Sequence, residues 1–127
     1  MLFRSFYVNA HVAGDPTSLF YRSIRGQLRQ RIRTKVVPSE EVSPFKGKSG
    51  ASGDATISFD KAGTVICIDA TIKGFDPVLA HLHNGKAGSN GDVVVDFSSK
   101  KVAPGRFLGC GKLSDLGVTD KIGRAHV

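Results

Sequence analysis

Tryptophan is absent from this 127-residue chain, methionine occurs once, and tyrosine and cysteine occur twice each. Long apolar runs are missing too. None approaches the roughly 20 residues that a helix needs to cross a bilayer, so no helical membrane span is expected. Serine and aspartate are plentiful, yet no G-x-S-x-G or comparable nucleophile motif occurs, and no catalytic apparatus is expected. The glycine-rich stretch Asn84–Asp92 (NGKAGSNGD) lacks a following Lys-Ser/Thr pair and leads into a strand-like run. It therefore reads as a loop between strands rather than a phosphate cradle, with Gly85, Gly88 and Gly91 supplying special backbone angles. The formal charge of +7 invites a nucleic-acid reading, but the basic stretch Arg22, Arg25, Arg29, Arg31, Arg33 and Lys35 has no interleaved aromatics. Without stacking platforms for bases, nucleic acid is not the expected partner. A charged strand edge that discourages further pairing is the simpler reading, with acidic glycans as the alternative.

Both ends read as foreign to the protein. Ile122–Val127 (IGRAHV) is what ATC GGA AGA GCA CAC GTC encodes, which resembles a sequencing adapter, and an AAG codon at Lys121 fits the bases before it. Met1–Ser5 (MLFRS) matches the reverse complement, CTC TTC CGA TCT, after a GTG start. Residues 1–5 and 121–127 are set aside on this reading, His126 among them. Counting out Arg4 and Arg124 alone, with Lys121 kept, leaves 16 basic against 11 acidic residues, a net charge of +5.

What remains is ordinary for a globular domain: 40% hydrophobic and 23% charged residues, with 15 glycines that imply many turns. Its period is two rather than 3.6. In Asp54–Asp60 the residues Ala55, Ile57 and Phe59 share a face. After a turn at Lys61-Ala62-Gly63, so do Ile66, Ile68, Ala70 and Ile72, with Cys67, Asp69 and Thr71 opposite. Lys73–Pro77 breaks the run. Val78–His83, Val93–Phe97 and Arg106–Leu113 read as further strands, and Phe6–Val12 and Ser23–Leu28 as two more around a loop. A short helical turn is expected near Leu113–Thr119. Many short strands with one apolar face predict an all-β antiparallel sandwich, Greek-key-like, with its other faces wet.

From Gly53 to Leu113 the chain resembles the CHRD (chordin) domain. The matching pieces are GDATISFD, CIDATIKG, the histidine–glycine block AHLHNGKAGSNGDVVV and GCGKL, with Val36–Pro44 (VVPSEEVSP) similar to the opening strand and turn. Separately, FYVNAHV and SIRGQL within residues 6–28 resemble the closing motifs of such a domain, placed before the opening motifs instead of after them. The simplest account is a tandem array: residues 6–28 as the tail of one domain, 29–33 as a link, and 34–120 as a second domain cut before its own closing strands. Open sheet edges invite a matching strand. The tail is therefore expected to fold back and complete the sandwich as a circular permutation, placing its His11 beside His81 and His83.

The resemblance implies a secreted or extracellular, non-catalytic binding or adhesion module for a protein or glycan. It also implies a disulfide, because Cys67 and Cys110 stand where secreted relatives often carry a cysteine pair; two buried thiols are the alternative. The pair would close a loop of 43 residues, stabilising the fold by up to about 4 kcal/mol on the chain-entropy model. His81 and His83, at i and i+2 on a predicted strand, project from one face. With His11 they form a candidate zinc or copper site, and so a competing metal-binding or redox function. The alternative is that the histidines hydrogen-bond loop backbone and anchor the glycine-rich turn.

Overall fold

The computed structural model describes residues 6–13, 22–27, 33–43, 45–60 and 62–118. The expected linker lies almost wholly outside these residues, as do both ends set aside above and, of the basic stretch, Arg29 and Arg31. Ten strands form two five-stranded sheets in a sandwich-like arrangement. The first sheet runs β4 (Lys46–Gly47), β2 (Arg22–Gln27), β1 (Phe6–His11), β7 (Leu79–Asn84), β8 (Val93–Asp96). The second runs β3 (Arg33–Val36), β5 (Ser52–Phe59), β6 (Val65–Lys73), β10 (Arg106–Lys112), β9 (Lys101–Ala103). One helical turn, α1 (Leu113–Leu116), follows β10, where it was expected.

Alternation explains the core. Ile57 pairs with Ile68 and Ala55 with Ala70 across β5 and β6, and Phe107 on β10 joins Ala70 on the same face. Against them the first sheet presents Val8, Ala10, Ile24, Ala80 and Leu82, all buried. Burying these side chains on both inner faces is the main stabilising contribution.

The N-terminal hairpin is built into this core. β1 pairs antiparallel with β7 over its whole length, Phe6 opposite Asn84 through His11 opposite Leu79, and β2 pairs with β1 on the far side. The expected fold-back onto β7 is thus present. β2 itself makes no ladder with residues 53–113; its outer neighbour is β4, with a further bridge from Arg25 to Val37.

Three corrections to the sequence reading follow. β3, β4 and β9 lie outside the expected strands, being only four, two and three residues long, too short for a period to register. The β2–β4 pairing is parallel, within otherwise antiparallel sheets. Finally, the outer face of the first sheet is not wet at its centre. Tyr7, Asn9, Ser23 and Arg25 all lie on it and are buried, because two chain segments cover it.

Candidate metal centre

On the outer face of the first sheet, register places Asn9 beside both Arg25 and His81, and Tyr7 beside His83. Leu82 points the opposite way, into the core. His81 and His83 therefore share the outer face, as their spacing demanded, and His11 reaches them diagonally from the next strand. Ring centroids stand 5.1 Å apart for His11 and His81, 5.7 Å for His81 and His83, and 6.2 Å for His11 and His83. One ligand nitrogen from each lies within 4.8 Å of the others.

A hydrogen bond fixes the tautomer of His83. Nδ1 of His83 is 3.0 Å from the Gly91 carbonyl oxygen. A carbonyl only accepts, so Nδ1 carries the proton and Nε2 keeps a lone pair. That buried Nε2 has no hydrogen-bond partner. On His81 the roles are exchanged: Nε2 faces the Asp96 carboxylate at 3.6 Å, and the buried Nδ1 has no hydrogen-bond partner. A carbonyl or carboxylate behind each ring, with a bare nitrogen in front, is the outer-shell pattern of metal-ligating histidine.

Burial also sets the charge. It holds His11 down to about 3, helped by repulsion from His81 and His83. Burial likewise lowers His83 to about 4, and lowers His81 although Asp96 opposes the shift. All three rings are neutral at pH 7, the ligand-competent form. Among the described residues no other His, Cys, Asp or Glu joins the cluster. Nitrogens at 2.0–2.1 Å from a tetrahedral ion lie about 3.3 Å apart, so the trio, now within 4.8 Å, would have to draw together by side-chain rotation to hold one ion.

The expected loop Asn84–Asp92 folds over this face, and one of its three glycines takes the special backbone angle expected. Only Gly88 takes a positive φ, +82°. Gly91 is required by crowding, since a Cβ there would sit 1.4 Å from the Asn84 carbonyl oxygen.

Five residues that sequence reasoning did not place at the site, Tyr7, Asn9, Ser23, Arg25 and Glu41, complete the surroundings. Asn9 donates to the Ile24 carbonyl and to Glu41 Oε2, each at 2.8 Å, and Ser23 donates to the same Glu41 oxygen. Burial pushes the Glu41 carboxyl up, against these hydrogen bonds. The Arg25 guanidinium lies 3.5 Å over the Tyr7 ring, and Tyr7 stacks on His83 at 4.6 Å with 7° between planes. Arg25, expected to belong to an exposed basic edge, is 1% exposed. Its donors are absorbed by the carbonyls of Lys86 and Ser89 and the Asn90 side chain. The signal for this was the polar residues alternating with Val8 and Ala10 in β1, which matched a wet face equally well.

Cys67 and Cys110 form a disulfide between directly paired residues of β6 and β10, with α-carbons 4.0 Å apart. It lies on the outer face of the second sheet, away from the histidines. No described helix is long and apolar enough to cross a membrane.

No curated protein and no solved structure matches the chain. The profile of the CHRD domain does, over residues 33–120. That stretch holds the disulfide, His81, His83 and the Asn84–Asp92 loop, while His11 stands outside it on β1. With more than half its length matched in this way, the chain belongs to the CHRD domain family.

Proposed function

We propose that this protein is a secreted, non-catalytic binding module whose ligand is a transition-metal ion, zinc or copper, held by His11, His81 and His83. The observation that carries the reading is the pair of buried nitrogens without hydrogen-bond partners, Nε2 of His83 and Nδ1 of His81, in a trio of histidines of which one ligand nitrogen each lies within 4.8 Å of the others. Burying such an atom without a partner costs on the order of 1–3 kcal/mol, and an ion would satisfy both at once. The competing reading, histidines that merely anchor the glycine-rich loop, accounts for one nitrogen of His83 and for nothing on His81. Imidazole donors suit zinc and copper alike. The disulfide and the extracellular character of the family support secretion.

The same reading treats residues 6–28 as the closing hairpin of a neighbouring repeat, lodged here as a circular permutation. Its support is that β1 occupies a central place in its sheet although the family match begins at residue 33.

The test is metal analysis of the oxidised protein after equilibration with zinc or copper and removal of free ion. One equivalent per chain is expected, abolished by replacing His81 and His83 together with alanine. No uptake by the parent protein, or undiminished uptake by the variant, would sink the metal reading.

A further inference from the structure

The three-layer stack of Arg25, Tyr7 and His83 has an arrangement that core packing alone does not require. A buried guanidinium is costly unless its donors are met, and here three of the acceptors come from one short segment. Nη2 donates to the carbonyls of Lys86 and Ser89 at 3.2 and 2.7 Å, and Nη1 to Asn90 Oδ1 at 3.2 Å. The amide of Asn90 in turn donates to the carbonyls of Val42 and Ser43 at 3.3 and 3.2 Å, tying the loop to the segment beyond. The next residue, Gly91, is gripped at both ends of its backbone. Its N–H donates to the Tyr7 hydroxyl at 3.1 Å, and its carbonyl accepts from His83 Nδ1 at 3.0 Å.

We infer that Arg25 is a positioning residue for the candidate metal centre: by clamping the turn Lys86–Asn90 and the Tyr7 ring, it aims the Gly91 carbonyl at Nδ1 of His83 and so leaves Nε2 as the ligand atom. The inference rests on the metal reading of the preceding section for its purpose, but its geometry can be examined without metal. The planar fork is what matters. Lysine would keep the charge, yet a point ammonium on a flexible stem cannot meet three divergent acceptors while lying flat on a phenol ring. Tyr7 serves the same end from the opposite side, fixing the plane of the imidazole by stacking and the Gly91 peptide by its hydroxyl.

The experiment uses the full oxidised chain, labelled with ¹⁵N, in three forms: parent, Arg25→Lys and Tyr7→Phe. The His83 tautomer is read from long-range ¹H–¹⁵N correlations without metal, and zinc affinity is read by competition with a chelator. In the parent protein His83 is expected as the Nδ1–H tautomer. In Arg25→Lys the tautomers should mix and zinc affinity should fall about 10–100-fold, the usual effect of losing outer-shell support. In Tyr7→Phe, which keeps the stacked ring and loses only the hydroxyl, the fall should be less than 10-fold. Should Arg25→Lys not fold, Tyr7→Phe and Asn90→Ala decide, each expected to weaken zinc binding and broaden the His83 signals. Parent-like tautomer and affinity in Arg25→Lys, or in both fallback variants, overturns the inference. If the parent protein takes up no zinc, the metal reading falls and the tautomer result alone decides this one.

Discussion

The outer faces of the two sheets are built by the same alternation and end in opposite environments. On the second sheet the outward residues of β6, Asp69, Thr71 and Lys73, are exposed, as are Leu108 and Cys110 on β10. On the first sheet the outward residues Tyr7, Asn9, Ser23 and Arg25 are as buried as the core. The difference lies in what covers them: Glu41 reaches over Asn9 and Ser23, and the Asn84–Asp92 loop folds back over Arg25 and Tyr7. Period two thus tells which residues face away from the core, but not whether they meet water. A polar face that is buried must satisfy every donor internally, and the atoms left bare on such a face are where a ligand belongs.

The sharpest way to break this comparison is Arg25→Ala. It removes a buried cation and strands its loop acceptors, so a loss of about 3–5 kcal/mol in urea unfolding is expected. A loss below 1 kcal/mol would mean that the covered face behaves like the wet one.

Removing the disulfide by Cys67→Ser with Cys110→Ser should cost up to about 4 kcal/mol while leaving metal uptake unchanged, because the cystine lies on the other sheet. Parallel loss of uptake would join the two faces that the structure separates.

Acidification comes next. The histidines have folded values below their ordinary one, so between pH 6.5 and 4 the unfolded chain binds protons that the folded chain refuses. Stability is therefore full above about pH 6.5 and falls as the pH drops, by on the order of a few kcal/mol at pH 4. Glu41, shifted up, acts in the opposite sense. Replacing the three histidines with glutamine should therefore flatten or reverse the slope in unfolding measured at pH 7 and pH 4. An unaltered slope would place the titrating groups elsewhere.

The smallest effect belongs to Arg106→Ala on the second sheet. Its bond to Asp69 is solvent-exposed, and less than about 1 kcal/mol should be lost.

The cores of β5 and β6 were legible because Ile57, Ile66 and Ile68 repeat at two over long strands, and nothing local competes. His81 and His83 were legible as a pair for the same reason, since i and i+2 on a strand must share a face. His11 was reachable only through the resemblance that placed β1 beside β7; no pattern within β1 says which strand it will meet. Arg25 and Glu41 were illegible. Both sit in charge-rich stretches that read as surface, and only the tertiary position of two loops turns them inward.

The disulfide closes the chain between residues 67 and 110, and an ion on His11 and His81 would close it between residues 11 and 81. The two circuits share residues 67–81, so they are interlocked rather than side by side. A single backbone cut anywhere from His11 to Cys110 then leaves both fragments bound, by the ion, the cystine or both. A module with this connectivity would survive in a protease-rich medium as a nicked but intact body: a cut between His11 and Cys67 would yield to chelation alone, one between His83 and Cys110 to reduction alone, and one between Cys67 and His81 only to both together.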